Sequence, residues 1–497
     1  MDGNKKEIND KNSENYLIHK KSILERQLYK NNIEIVKNDK ELHKSDLKKR
    51  NEKKLTFDFD AGKKLNLSLK YNKKEWIIDI INLKDLFFYN CFSFSKKRKN
   101  IYKILLEETN QIIKIKLEMC MMPLTQDKLE NMNQFKYKYT NNSFLYNKIY
   151  SPCLNKLVEY VPRNIAPNLI TLFSLMCNII AFIVTLADGG FDFSQPLKKS
   201  TCYVIGISQL VYQALDNIDG KQARRTGNST PFGMLMDHGC DTFTLIFTSY
   251  NMSRLLVVGN EGFFSYSVFF GLILGFFMMT YEDYKIGEMA YPVINGVDEG
   301  NFAVFVIGLC CGIFGQGWVV YAPISKFGSL TIGKIFSLVI IIGAVGTIFN
   351  LYYHTYQKKD CRENLRNFFD NLAFYNVLLV PVIFSYIREE FWLNYKWVVI
   401  LNACLLFARL TIDIQIKIAT MDNFRCNIMF IFSNLMLILS LFFTNEKFNF
   451  YFLGCTAIFE FAELAVFIYF RANEITEFLG IRVFCVKSTE PSDMVKV

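Results

Sequence analysis

The chain has 497 residues, of which 51% are hydrophobic and 15% aromatic, and its 57 Lys and Arg against 47 Asp and Glu give a formal charge of +10. The basic excess sits in the polar N-terminus and in short loops between apolar segments, where it faces anionic lipid and sets topology, so nucleic acid is not expected as a partner. Thirteen Cys without a CxxC pair and only four His (His19, His43, His238 and His354) speak against a zinc or disulfide framework.

The opening MDGNKKEINDKNSENY has no apolar core, so no cleavable signal is expected and targeting rests on internal segments. Residues 1–54 are charged and poor in aromatics and read as a disordered polar extension. Phe57 and Phe59, then Leu65, Leu67, Leu69 and Tyr71, alternate with polar residues around Ala61-Gly62, which predicts a two-stranded hairpin in a 55–122 segment of otherwise unknown role. In the pre-membrane segment 123–164, Leu154, Leu157, Val158 and Val161 fall at i, i+3, i+4 and i+7 before Pro162. That pattern predicts a helix lying in the membrane interface.

From Ile165 onward apolar stretches of about 20 residues follow one another, each long enough to cross a ~30 Å hydrocarbon core. Ten candidate spans are read, at about 165–187, 201–219, 233–257, 263–282, 301–320, 331–350, 371–387, 396–417, 426–444 and 449–470. The fold class is therefore an all-α, polytopic membrane protein, with a transmembrane domain at 165–475 and a 476–497 tail. Lys221, Arg224, Arg225, Lys358, Lys359, Arg362 and Arg366 fall on one side, which places both termini in the cytosol.

Four carboxylates fall in DNIDGKQARRTGNSTPFGMLMDHGCD, residues 216–241. Asp216 and Asp219 are spaced i, i+3 at the end of the second span, and Asp237 and Asp241 are spaced i, i+4 at the start of the third. Each pair shares a helix face, and the connection between them folds the two pairs together. Such a cluster repels itself unless a divalent cation compensates, and oxygen-only ligation suits Mg²⁺ or Mn²⁺, with room for two ions. Gly220 and Gly233 leave space for a ligand, and Arg224 and Arg225 suit phosphate oxygens. The sequon Asn228-Ser229-Thr230 falls on the cytosolic side, where it is not expected to be used.

At these residues the sequence resembles the CDP-alcohol phosphotransferase family, whose motif DxxDGxxAR, eight residues, GxxxDxxxD is filled at every fixed position. DHGCD, and Ala166-Pro167-Asn168-Leu169-Ile170-Thr171 at the first span, resemble its eukaryotic choline/ethanolamine phosphotransferase branch. The resemblance covers about 125–475. It implies that Asp216, Asp219 and Asp237 bind the metals with Asp241 completing the site. It further implies that Gly220, Ala223, Arg224 and Gly233 line the CDP pocket, supported by Asn168 and Thr171, and that His238 and Glu299 activate a lipid hydroxyl. Asp298 is a neighbouring competitor for Glu299, and Asp241 a rival base.

The implied reaction moves phosphocholine or phosphoethanolamine from CDP-choline or CDP-ethanolamine to diacylglycerol. The implied setting is a homodimer of the endoplasmic reticulum or Golgi membrane with its site facing the cytosol. The alternatives are a phosphatidylinositol- or phosphatidylglycerol-phosphate-type synthase using CDP-diacylglycerol, and an ion-coupled transporter. The second would place carboxylates at mid-membrane in both halves of the chain.

Overall fold

In the computed structural model the described residues are the strands 34–37, 54–59, 65–71 and 74–80, and then 123–486 without 322–329, 358–360 and 425–427. The chain divides into two units, Met1–Lys114 and Ile115–Val497. In the first, β1 (Glu34–Lys37), β2 (Lys54–Phe59), β3 (Leu65–Tyr71) and β4 (Lys74–Ile80) form one sheet in sequence order. β2 and β3 run antiparallel with Phe57 opposite Leu67 and Phe59 opposite Leu65, on the residues whose alternation suggests a hairpin. β1 lies within the stretch read as disordered.

The second unit is helical. It begins with α1 (Gln126–Gln134), the short strand β5 (Tyr139–Asn141) and a helical run made of a π turn at Tyr146–Tyr150, α2 (Ser151–Leu157) and a 3₁₀ turn at Val158–Tyr160. Leu154 and Val158 of that run are buried against Ile170 and Ile218, with Val161 packed beside them. Leu157, expected on the same face, is 47% exposed. The i+3 step from Leu154 to Leu157 rotates it off the seam once the face is turned toward protein, and Leu157 and Tyr160 are left as exposed apolar surface.

Next come α3 (Pro167–Gly189), α4 (Lys199–Thr226), α5 (Pro231–Leu255) and α6 (Phe264–Ile286), the strand β6 (Met289–Tyr291) and α7 (Asp298–Phe314). The remaining helices are α8 (Gln316–Val319), α9 (Ile332–Gln357), α10 (Cys361–Ile387), α11 (Glu389–Thr420), α12 (Ile428–Leu439) and α13 (Glu446–Leu479). Eight of the ten apolar segments lie each on one of these helices, whereas 301–320 runs across α7 and α8 and 426–444 takes in α12 and a 3₁₀ turn at Ser440–Phe442. Among the described residues five are long and apolar enough to cross a membrane: Pro167–Gly189, Phe264–Ile286, Ile332–Asn350, Glu389–Thr420 and Glu446–Leu479. Helices α4 and α5 miss that measure because Gln209, Gln213, Asp216, Asp219, Asp237 and Asp241 interrupt their apolar sequence.

The bundle is polar inside and apolar outside where it holds the motif. On α3, Thr171, Ser174, Asn178 and Thr185 are buried, while Phe173, Met176, Ile180 and Ile183 are exposed. This is the arrangement of a lipid-facing helix whose inner face binds its neighbours through small and polar side chains. α4 and α7 meet backbone to backbone: a Cβ on Gly308 would lie 2.7 Å from the Gly206 Cα. That approach brings a polar ladder into register. Gln209 Nε2 donates to Asn301 Oδ1 at 2.7 Å, Asn301 Nδ2 donates to Gln213 Oε1, and Gln213 Nε2 donates to Asp298 Oδ1 at 3.0 Å.

Candidate functional site

α4 does not stop at the expected 219. It stays helical to Thr226 and ends at Gly227, which takes the left-handed conformation with φ 67°. Lys221, Arg224 and Arg225 therefore ride on the last turns of a helix rather than in a loop, and the connection to α5 is only residues 227–230. Thr230 starts α5 by accepting the Gly233 N–H at 3.0 Å, with Pro231 at the first helical position.

This tight turn brings the two acidic pairs together. Asp216, Asp237 and Asp241 each offer a carboxylate oxygen, all within 4.8 Å of one another. The Oδ1 atoms of Asp216 and Asp237 are buried with no hydrogen-bond partner among the described residues. Asp241 accepts the Tyr212 hydroxyl at 2.8 Å. Asp219, the fourth carboxylate, stands outside this trio and accepts the Thr171 hydroxyl at 2.5 Å. Orphaned carboxylate oxygens converging on one point are what a hard divalent cation satisfies, so these residues fit the implied ion.

The surrounding positions are arranged by close packing. A Cβ on Gly233 would meet Thr230 Oγ1 at 3.3 Å and Asn168 Oδ1 at 3.5 Å, so this glycine lets α5 approach α3. Asn168 in turn donates to the Val483 carbonyl at 2.8 Å, tying the C-terminal segment over the first span. One Arg224 guanidinium nitrogen lies 3.5 Å from where a Gly220 Cβ would be. Ala223 gives its carbonyl to Asn228 N at 2.9 Å. Arg224, Lys221 and Arg163 line a cleft of about 650 Å³ between α4 and the 146–160 helical run. Arg225 is committed elsewhere: its Nη1 donates to the Val158 and Val161 carbonyls, both at 2.7 Å, which caps that run.

His238 and Glu299 are held by different partners. The His238 Nε2 lies 3.4 Å from the Tyr137 hydroxyl, and the two rings meet edge-on at 5.3 Å. Glu299 accepts Ser143 Oγ at 2.7 Å, Leu145 N at 3.1 Å and Asn295 N at 2.9 Å, so it fastens two loops to the first turn of α7. Among the described residues no hydrogen bond joins it to His238. Asp298 accepts from Gln213 and, at 2.9 Å, from Asn141, and its carboxyl is raised, first by burial.

Tyr137 and Tyr212 are not singled out by the sequence reading. Tyr212 stands one turn before Asp216 on the same face of α4, which is its only signal. Tyr137 belongs to the alternating Phe135-Lys136-Tyr137-Lys138-Tyr139 run that leads into β5. β5 pairs in parallel with β6, Tyr139 opposite Met289 and Asn141 opposite Tyr291, and this pairing carries Tyr137 to the site.

Residues 164–315 match the CDP-alcohol phosphatidyltransferase family. The chain carries a CDP-alcohol phosphotransferase domain. The chain is similar to an uncharacterized CDP-alcohol phosphatidyltransferase class-I family protein of Dictyostelium discoideum, 31% identical over 47% of this chain and 55% of the relative. It is also similar to cholinephosphotransferase 1 of Xenopus laevis, 31% identical over 46% and 55% of the two chains. Choline/ethanolaminephosphotransferase 1 of Arabidopsis thaliana is 31% identical over 38% and 47%. The chain thus spans about half the length of the curated relatives it matches. Within the phosphotransferase domain lie α3 to α7 and all four motif carboxylates; Tyr137, Asn141 and Ser143 stand before it.

Proposed function

We propose that the chain transfers phosphocholine or phosphoethanolamine from the CDP-linked alcohol to diacylglycerol. The observation that carries this reading is the trio Asp216, Asp237 and Asp241, whose carboxylate oxygens lie within 4.8 Å of one another, with those of Asp216 and Asp237 unsatisfied among the described residues. Magnesium or manganese held there, in one or two ions, supplies positive charge for the pyrophosphate and its leaving oxygen. Arg224 adds a fork of donors at the cleft, and Asp219, fixed by Thr171, completes the acidic wall.

The diacylglycerol 3-hydroxyl gives its proton to His238, or to Asp241 as the rival base, and its oxygen bonds to the phosphorus carrying the alcohol. The bond from that phosphorus to the bridging oxygen breaks, and CMP leaves with the electron pair. Glu299 positions the loops around the base rather than contacting it. The lipophilic acceptor reaches a site at the membrane edge from the bilayer, and the soluble donor from the aqueous side. We place the protein, with ten spans, as a homodimer in the endoplasmic reticulum or Golgi membrane, with site and termini in the cytosol.

The test is phosphotransfer by membranes expressing the chain, given diacylglycerol, Mg²⁺ or Mn²⁺, and labelled CDP-choline or CDP-ethanolamine. Metal-dependent labelled phospholipid that disappears in Asp237→Ala supports the reading. Activity surviving His238→Ala moves the base to Asp241. Absence of product from both donors, with folded protein present, overturns the reading in favour of CDP-diacylglycerol and a soluble alcohol.

A further inference from the structure

The backbone at His238 is pinned from two sides. Its carbonyl accepts the Thr242 hydroxyl at 2.9 Å from the next turn of α5, and the Gln415 side-chain amide of α11 at 3.2 Å. Gln415 is 1% exposed and lies well beyond residue 315, where the family match ends. With the backbone held, the imidazole ring is what remains to be set. Among the described residues Tyr137 alone brings a polar atom within hydrogen-bonding distance of a ring nitrogen, its hydroxyl standing 3.4 Å from Nε2.

Tyr137 is itself fixed. In the β5–β6 pairing Met289 stands opposite Tyr139 and donates its N–H to the Lys138 carbonyl at 3.1 Å. Its sulfur accepts the Tyr137 hydroxyl, also at 3.1 Å. The Tyr137 ring meets His238 edge-on with centroids 5.3 Å apart, and stacks on Tyr139 at 6.3 Å. The direction of the hydrogen bonds follows from what each group can give. A phenol has one proton to donate, and a thioether sulfur has none. The hydroxyl proton goes to Met289 Sδ, the nearer atom, and the oxygen presents a lone pair to His238. Nε2 is then the nitrogen that carries hydrogen, and Nδ1 the one with the free lone pair.

We infer that Tyr137, oriented by Met289, is a positioning residue that holds His238 with its hydrogen on Nε2, so that Nδ1 is the atom that receives the proton of the lipid hydroxyl. This rests on the phosphotransfer reading and names the working atom of its base. As the lipid oxygen bonds to phosphorus, its proton passes to Nδ1 and the ring becomes an imidazolium. The hydrogen bond from Nε2 to the Tyr137 oxygen then gains charge assistance. It is stronger in the transition state than in the ground state, which is the condition for raising turnover.

The experiment measures kcat, and KM for CDP-choline and diacylglycerol, on the purified full chain. Tyr137→Phe keeps the ring and is expected to lower kcat about 10–100-fold, the loss of a hydrogen bond to a charged group, with both KM values within about twofold. Met289→Leu conserves volume but removes the sulfur, so the hydroxyl turns its proton onto Nε2 and favours the opposite tautomer. Its kcat should fall about fivefold, and adding it to Tyr137→Phe should cause no further loss. A packing role alone gives additive losses, so additivity in the double variant overturns the inference. So does unchanged kcat in Tyr137→Phe, a loss expressed in KM, or His238→Ala as active as wild type.

Nitrogen-15 spectra of histidine-labelled wild type, assigned with His238→Gln, test the hydrogen placement with no need for either variant to fold. A protonated Nε2 beside a lone-pair Nδ1 is expected, and the reverse overturns the inference. Wild-type chain that turns over neither donor removes the phosphotransfer reading and with it the role in catalysis, whatever the spectrum shows.

Discussion

Thr171 of α3 donates its hydroxyl to Asp219 of α4 at 2.5 Å, with Thr171 3% and Asp219 4% exposed. The bond explains why Asp219, though part of the motif, stands apart from the three carboxylates that converge. Its oxygen is aimed by a neighbour on another helix, and the first span thereby becomes part of the acidic site. Outer-sphere partners of this kind fix ligand orientation and are costly to lose.

Thr171→Val keeps the shape and removes the donor. The Mg²⁺ or Mn²⁺ concentration needed for half-maximal activity is expected to rise on the order of 10–100-fold, the range for loss of such a partner. Titrating activity against metal in wild type and variant checks this. An unchanged midpoint would mean that Asp219 does not serve the metal site.

Asp216→Asn and Asp237→Asn preserve volume while removing a charge whose oxygen is already unsatisfied. Both variants are expected to fold with unchanged or higher thermal stability in metal-free buffer, because four clustered carboxylates become three. Both should lose phosphotransfer to background. Melting curves with EDTA and with Mg²⁺ check this: the metal-induced rise expected of wild type should be absent in each.

Gly308→Val places a branched side chain where a Cβ already lies 2.7 Å from the Gly206 Cα. The helices must part, and the bonds from Gln209 and Gln213 to Asn301 and Asp298 part with them. Overpacking alone costs about 1–3 kcal/mol, so a clear fall in melting temperature is expected in detergent. Gly308→Ala should show a smaller fall.

Glu299→Gln separates two roles. As a fastening for Ser143, Leu145 and Asn295, the carboxylate should weaken the fold by about 1–3 kcal/mol when its charge is lost. Turnover per folded molecule should then fall only in proportion to donor KM. A variant as stable as wild type but without turnover would restore Glu299 to the proton relay implied by the family resemblance.

Asp422 ties α1 to the end of α11, with Lys128 at 2.6 Å and Lys417 at 2.9 Å. Burial alone would raise its carboxyl, but hydrogen bonds and charge from the two lysines outweigh it and hold the group at about 2. The folded value is depressed below the unfolded value of about 3.9. The stabilisation is therefore full above pH about 4 and is lost as pH falls toward 2. The melting-temperature gap between wild type and Asp422→Asn should be open at pH 6 and narrow as pH falls through about 2.

The apolar helices were legible in the sequence because a long apolar stretch must satisfy its backbone hydrogen bonds within itself, and among the described residues five are long and apolar enough to cross a membrane. The convergence of Asp216 with Asp237 and Asp241 was legible for a similar reason, since helical spacing and a short connection leave little freedom. The extent of α4 was not. Lys221–Thr226 looks like loop by charge, yet Gln222, Ala223 and Arg224 are good helix formers, and the stop waits for Gly227. Tyr137 was hidden because it meets His238 through the pairing of β5 with β6, about 150 residues apart. The distinct partners of His238 and Glu299 likewise depend on Ser143 and Tyr137, which no local pattern links to either.

The β5–β6 pairing also means that the motif's boundaries are not the machine's boundaries. A polypeptide begun at residue 164, where the family match starts, would keep all four motif aspartates and still lose the strand that β6 pairs with, the ring beside His238 and the hydroxyl on Glu299. Swapping the 123–145 stretch between relatives would therefore exchange the residues packed around His238 and Glu299 while leaving the signature sequence untouched.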